Sequence, residues 1–77
     1  MLRQLNSMQA MQEAYEEFAA ELELDGTETN AAEFLLIAYE WPERYSFAET
    51  TEGLVVRFLA SHRIGSDQID KLTDYMF

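Results

Sequence analysis

An almost entirely apolar segment, residues 31–41, places the strongest constraint on what this chain can fold into. Within it only Glu33 and Glu40 carry a charge. Asn30, a preferred helix N-cap, precedes the segment. The Glu33 side chain can bond to the backbone amide of Asn30, as in a capping box. Pro42 follows it and cannot continue a helix. A helix that is apolar nearly all round is buried on most sides, so the sequence predicts a central core helix here, with Glu33 and Glu40 on its one solvated edge.

A long amphipathic helix is predicted before this segment, over residues 1–24. Its apolar side chains recur at spacings of three and four residues and therefore form one stripe. The stripe consists of Met8, Met11, Tyr15, Phe18 and Leu22. Gly26 then ends the helix, because glycine takes the left-handed conformation without strain. The heptad spacing lasts for only about two heptads, fewer than a coiled coil needs, so a monomer is favoured over a homodimer.

Two further helices are predicted in the second half of the chain. Ser46 and Glu49 stand at the offset of a capping box and open a helix that runs to about residue 63. Gly65 and Ser66 then form a stop and an N-cap before a fourth helix that reaches the C-terminus.

The predicted architecture is one all-α domain over residues 1–77, a small four-helix domain with short connections. Residues 54–59 could also form a strand, but they lack the alternation of a half-buried one, and the helix is favoured. The predicted core comprises Phe34, Leu35, Ile37, Ala38, Trp41, Leu54, Phe58, Leu59, Ile69 and Leu72.

The negative charge of the chain is concentrated in one region. The 77 residues carry 15 acidic side chains against five basic ones, a formal net charge of −10. Residues 13–52 hold twelve of the acids and only Arg44 as a base, whereas residues 53–77 balance three acids against three bases. Residues 13–28 contain no basic side chain, although exposed helices commonly pair Lys with Glu at four-residue spacing.

Two interpretations of this uncompensated charge remain open. One is a solvated helix face that keeps a small protein soluble. The other is a surface for a protein partner with a basic surface, above all a nucleic-acid-binding protein, because complementary charge accelerates encounter. The predicted partner-binding residues are Glu13, Glu16, Glu17, Glu21, Glu23, Asp25 and Glu28.

The composition argues against an enzyme. The chain has no cysteine, which excludes thiolate nucleophiles and zinc sites of the cysteine type. His62 is its single histidine, which excludes a zinc site with several histidines. Ser61 adjoins His62 in sequence, but neighbouring side chains on a helix diverge, so the pair does not form a nucleophile and base. We therefore expect no catalytic residues, no metal and no cofactor.

Three motif-like patterns fail on inspection. Acids at alternate positions before Gly26 resemble the start of a calcium loop, but Glu28 stands where an apolar residue is needed and Glu33 comes one place late. A helix-turn-helix around Gly65 is rejected, because the second helix, which would contact the DNA bases, is acidic. The acyl carrier class requires an attachment serine where this chain has Ala31. Direct binding to nucleic acid is also rejected, because it begins with a basic footprint.

Targeting signals are not expected, because no apolar run follows the N-terminus and the most apolar stretch is shorter than the roughly 20 residues of a spanning helix. We expect a cytoplasmic protein without membrane contact. In size and charge alone, the chain resembles the small acidic inhibitors encoded by phages and mobile elements. That resemblance implies a non-enzymatic DNA mimic of the anti-CRISPR or anti-restriction type. The alternative is a homo-oligomeric helical adaptor or regulator that uses its apolar stripes.

Overall fold

Four helices and two short strands form the part of the chain that the computed structural model describes, residues 2–24, 26, 29–47 and 51–77. In chain order the elements are β1 (Arg3–Gln4), α1 (Met8–Leu24), α2 (Ala31–Tyr39), β2 (Tyr45–Ser46), α3 (Glu52–Ser61) and α4 (Ser66–Met76). The prediction of a small all-α four-helix domain with short connections is confirmed.

The N-terminal residues form a strand and not the first turns of the predicted helix. The Arg3 N–H donates to the Arg44 carbonyl oxygen (2.8 Å), and the Leu5 N–H donates to the Ser46 carbonyl oxygen (2.9 Å). These bonds make β1 and β2 a parallel pair. The extended backbone also carries Leu5 into the core, where its side chain is fully buried. The helix prediction was wrong here because strand pairing over such a sequence distance leaves no local pattern.

Both ends of α1 follow ordinary capping chemistry. The Ser7 hydroxyl accepts a hydrogen bond from the Ala10 N–H (3.0 Å), which satisfies one of the free donors of the first turn. This cap, which the sequence analysis missed, sets the start of α1. After the helix, Gly26 has a φ of +76°, as predicted for the residue past the helix end.

The N-terminus of α2 is capped as predicted, but the capping box is incomplete. The Asn30 side chain accepts from the Glu33 N–H (2.9 Å). The Glu33 carboxylate does not return to Asn30 but accepts from the Thr29 hydroxyl (2.8 Å). The helix ends at Tyr39, two residues earlier than predicted and before the turn that contains Pro42.

The predicted capping box at the start of the third helix is wrong. Ser46 lies in β2, where its carbonyl oxygen pairs with the N-terminal strand, and Glu49 lies outside the described residues. The helix begins instead at Glu52, after Thr51. It covers residues 54–59, so the strand alternative for this segment is also excluded.

The turn between α3 and α4 uses Arg63 where the sequence analysis expected glycine. Arg63 has a φ of 62°, the left-handed conformation. Its N–H donates to the Ala60 carbonyl oxygen (3.0 Å), and the Ile64 N–H donates to that of Leu59 (3.1 Å), which together form a Schellman motif. Gly65 has an ordinary φ of −67° and serves as the N-cap residue of α4.

Replacement of Arg63 by glycine is expected to stabilise the fold. A side chain in the left-handed region costs about 1 kcal/mol relative to glycine. Glycine also makes the unfolded chain more flexible, and this offsets part of the gain in stability. We expect Arg63→Gly to gain about 0.5–1 kcal/mol, a rise of a few degrees in Tm by circular dichroism. Arg63→Ala removes the same charge but keeps the strain and is the control. Equal melting of the two variants would contradict this account.

The predicted stripe of α1 faces the interior. Met11 and Phe18 are buried, and Met8, Tyr15 and Leu22 pack against the core as half-buried side chains. Of the predicted core residues elsewhere, those buried are Phe34, Leu35, Ala38, Phe58, Leu59, Ile69 and Leu72. The core residues that were not predicted include Leu5, Ala14, Tyr45, Val55 and Met76.

Two predicted core residues are exposed, and a third is only half-buried. Ile37 is 39% exposed because it lies on the same outward face of α2 as Glu33 and Glu40. Trp41 is 41% exposed because α2 ends before it. Leu54 packs at the edge of the core. α2, which was predicted to be buried on most sides, is therefore buried on one side only.

Phe34 is the centre of the aromatic core. Its ring lies 5.3 Å from that of Phe18, 5.7 Å from Tyr15, 5.8 Å from Tyr45 and 6.4 Å from Phe58. These rings meet at tilted or edge-to-face angles, the arrangement that aromatic pairs prefer. One side chain thus joins α1, α2, α3 and β2 and fixes which face of α1 points outward.

Candidate protein-binding surface

The outward face of α1 carries five exposed glutamates. Because the apolar stripe is held in the core, the side of the helix opposite to it is directed to solvent. We call this set the acidic face; it consists of Glu13, Glu16, Glu17, Glu21 and Glu23, all exposed as predicted. Two other predicted site residues, Asp25 and Glu28, lie outside the described residues.

The carboxylates of the acidic face form two rows along the helix. Glu13, Glu17 and Glu21 follow one another at four-residue spacing, and Glu16 and Glu23 form a second row at seven-residue spacing. Ten helical residues span about 15 Å, so the five carboxylates come at about one per 4 Å. The phosphates along one DNA strand come at about one per 3.4 Å. The linear charge densities are therefore similar.

Two arginines from distant parts of the chain pair with the first row. Arg3 in β1 donates to the Glu17 carboxylate, and the Arg44 guanidinium lies 3.6 Å from the Glu21 carboxylate. A hollow of about 390 Å³ lies beside the helix and is lined by Leu2, Arg3, Glu17, Arg44 and Tyr45. These partners were not predicted, because the pattern of charges along one helix contains no information on arginines from β1 and the turn before β2.

Arg44 is held in place by two aromatic rings. Its guanidinium carbon lies 5.1 Å from the centroid of the Trp41 ring and 5.7 Å from that of Tyr45. Cation–π contacts of this kind favour a fixed position of the arginine. The Trp41 ring, outside the core, thus contacts the arginine that pairs with Glu21.

The ion pair with Arg3 changes the titration of Glu17. The hydrogen bond from Arg3 holds the pKa of the Glu17 carboxyl below its ordinary value, and the same bond raises the pKa of Arg3. A lowered carboxyl pKa in the folded state means that the pair adds stability above the ordinary carboxyl pKa. That contribution disappears as the pH falls through the folded-state value.

Arg3→Gln is expected to raise the pKa of the Glu17 carboxyl towards its ordinary value. NMR titration of the side-chain carboxyl carbons measures this directly. Arg57→Gln, which removes an exposed arginine from α3 with the same change in charge, is the control and should leave Glu17 unchanged. A Glu17 titration that is the same in Arg3→Gln as in the wild type would show that the pair does not form in solution.

The remaining carboxylates of the acidic face have no basic partner within the described residues. Glu13 accepts from the Gln9 amide and Glu16 from the Gln12 amide, both at 3.1 Å and both one turn earlier. The salt bridges among the described residues include neither of them, nor Glu23. Three exposed carboxylates of one helix are therefore without a salt bridge in the part of the chain that the structure describes.

The acidic residues of α2 and its C-cap serve structural contacts. Glu33 and Glu40 are both exposed, which confirms that they form the solvated edge of α2. Glu40 accepts a hydrogen bond from the Tyr75 hydroxyl (2.6 Å), and this bond raises the pKa of that hydroxyl. No group of three metal-ligating side chains occurs among the described residues.

His62 packs as a structural residue at the end of α3. Its Nε2 lies 2.7 Å from the Gln12 side-chain oxygen, and its ring meets those of Tyr15 and Phe58 at 4.9 and 4.6 Å. The Ser61 hydroxyl donates to the Phe58 carbonyl oxygen (2.7 Å) and not to the imidazole. The histidine thus joins α3 to α1.

Comparisons with protein-family models, with curated proteins and with solved structures give no match. None of the helices in the described ranges is long and apolar enough to cross a lipid bilayer. The acidic face, its two arginine partners and the aromatic core that orients it are therefore the observations from which a function can be argued.

Proposed function

We propose that this chain is a non-enzymatic inhibitor that places its acidic face on the basic nucleic-acid-binding surface of a target protein. The observation that carries the proposal is a set of exposed carboxylates on one helix that have no basic partner among the described residues, Glu13, Glu16 and Glu23. In this proposal the chain acts as a DNA mimic of the phage or mobile-element type. Its target is a defence nuclease, such as one of a CRISPR or restriction system.

The physical basis of the proposed contact is the replacement of phosphates by carboxylates. Carboxylates accept charge-assisted hydrogen bonds from Arg and Lys, as phosphate oxygens do. A helix holds them at fixed spacing, so less side-chain and backbone freedom is lost on binding than with a flexible acidic tail. The net charge of −10 adds long-range attraction to a basic surface and raises the association rate.

The two arginines limit which carboxylates make the central contacts. Glu17 and Glu21 already have Arg3 and Arg44 as partners, so a basic target would have to compete for them. We therefore assign the central contacts to Glu13, Glu16 and Glu23 and place Glu17 and Glu21 at the rim. Central, desolvated pairs carry most of the affinity of an interface, whereas rim charges mainly change the association rate.

The alternative function, an adaptor that self-associates through the stripe of α1, is less well supported. Met11 and Phe18 are buried in the chain's own core, and the other members of the stripe pack against it. An interface through these side chains would require the fold to open.

The proposal is tested by capturing proteins from a cell lysate on the immobilised chain and eluting them with a salt gradient. A charge-dominated complex weakens as the Debye length falls, from about 14 Å near 50 mM salt to about 4 Å near 500 mM. We expect the retained proteins to elute within this range and to include a nucleic-acid-binding protein. Partners that stay bound at the highest salt concentration, or that lack a basic surface, would contradict it.

A further inference from the structure

An exposed apolar groove lies between α2 and α4, away from the acidic face. The groove has a volume of about 250 Å³. We call its surface the α2–α4 face; it comprises Ala32, Glu33, Leu36, Lys71, Leu72 and Tyr75. Leu36 and Tyr75 are more than one third exposed, and Ile37 and Tyr39 beside them are equally open to solvent. Four large side chains so close together exceed what scattered surface residues explain.

The walls of this groove are held in a defined arrangement. The Tyr75 ring meets the Tyr39 ring edge to face at 5.5 Å, and the Tyr75 hydroxyl donates to Glu40 at 2.6 Å. The most exposed aromatic side chain of the face is thus anchored at both ends. A surface that is ordered before binding loses less conformational entropy on association.

Charges of both signs lie near the groove. α4 carries Asp67, Asp70 and Asp74 against Lys71, and α2 adds Glu33. α1 and α4 each pack on α2 and α3, and within the described residues they share no comparable contact with each other. The α2–α4 face therefore lies away from the acidic face of α1, but α2 and α4 themselves carry a net negative charge, so apolar contacts must provide the attraction between two copies.

The rim of the groove carries one charge of each sign on opposite walls. Glu33 stands on α2 and Lys71 on α4. A two-fold axis that runs along the groove sets α2 of one copy against α4 of the other. Each Lys71 then approaches the Glu33 of the other copy, and each Leu36 enters the apolar floor. A two-fold interface requires this kind of self-complementarity.

We propose that a second copy of this chain docks on the α2–α4 face to form a weak two-fold dimer. The acidic faces of the two copies then lie on the far sides of the dimer, both open to targets. Two helices about 10 Å apart, α2 about 14 Å and α4 about 16 Å long, provide a small face, below the roughly 800 Å² per partner of a standard interface. The dimer is therefore expected at tens to hundreds of micromolar, and the chain is monomeric at low micromolar concentration.

Sedimentation equilibrium of the full chain, with charge-swapped variants, tests the dimer. Lys71→Glu and Glu33→Lys each place like charges across the proposed axis, so each variant alone is expected to be monomeric. Mixed in equal amounts, the two variants recover both attractive pairs and are expected to form a heterodimer. Complementation requires a contact between residue 71 of one copy and residue 33 of the other, and a mass that stops at the dimer requires that this contact be two-fold.

Apolar substitutions and salt provide the controls. Leu36→Glu is expected to weaken the dimer at least about tenfold, whereas Leu24→Glu, at an exposed apolar residue on α1, leaves it unchanged. Because screening reduces the repulsion between two acidic chains, the wild-type dimer is expected to tighten severalfold from about 50 to 500 mM salt. Melting curves confirm that each variant is folded. A wild-type chain that stays monomeric at several hundred micromolar, or a dimer indifferent to Leu36→Glu and to the charge swaps, would overturn the proposal.

Discussion

Phe34→Ala is expected to destabilise the fold by about 3–5 kcal/mol, the cost of deleting a buried aromatic side chain. Phe34 is fully buried and in contact with rings from three other elements, so its loss leaves a cavity that cannot collapse without moving α1, α3 or β2. A chain of this length has a total stability of about 4–12 kcal/mol. The variant should therefore be largely unfolded or melt far below the wild type.

Urea and thermal unfolding followed by circular dichroism measure this effect. Phe58→Ala, at a second fully buried ring of the same cluster, should cost a similar amount. Ile37→Ala on the exposed face of α2 is the matched control and should cost less than about 1 kcal/mol. If Phe34→Ala melted within a few degrees of the wild type, α2 could not be the centre of the core.

Local signals in the sequence were sufficient to predict most of the helices. The side chain of Asn30, the left-handed Gly26 and the stripe of α1 act over three or four residues, and the structure contains each of them as predicted. Such signals are reliable because both partners of the interaction lie within one helical turn.

The wrong predictions concern residues whose environment is set by distant parts of the chain. Ser46 and Glu49 have the spacing of a capping box, but pairing of Ser46 with the N-terminal strand overrides it. Trp41 has the hydrophobicity of a core residue, yet α2 ends before it and its ring lies against Arg44 instead. Neither outcome can be predicted from neighbouring residues alone.

The acidic face shows the same difference between features set by local signals and features set by distant parts of the chain. The helical period was enough to predict that the glutamates of α1 are exposed on one side. It could not predict that Arg3 and Arg44 pair with Glu17 and Glu21, because parallel pairing of β1 with β2 brings these arginines to α1. Among the described residues the structure leaves Glu13, Glu16 and Glu23 without a basic partner, and the proposal assigns the central contacts to these three.

Reversal of Glu13 and Glu16 to lysine is expected to raise the Kd for the target at least about 100-fold. Removal of one member of a buried charge pair costs about 2–5 kcal/mol, and reversal adds repulsion to that loss. Both side chains are exposed, and their hydrogen bonds are to glutamines on the same helix, so the fold should not change. Glu17 is left unchanged because it forms a salt bridge with Arg3. Isothermal titration calorimetry measures the change in Kd.

A second reversal with the same change in net charge provides the control. Asp70 and Asp74 are exposed on α4, outside the acidic face. Reversal of both to lysine alters the long-range field equally but should change the Kd less than about tenfold in physiological salt. Equal losses in the two double variants would show that total charge, and not the acidic face, determines binding.

Competition between this chain and a nucleic acid for the purified target tests the central claim most directly. A fluorescently labelled oligonucleotide is bound to the target, and the chain is added while anisotropy is recorded. If the acidic face occupies the nucleic-acid-binding surface, the oligonucleotide is released completely, and the apparent Kd of the chain rises in proportion to the oligonucleotide concentration. A ternary complex, in which the target binds the chain and the oligonucleotide at the same time, would contradict the account.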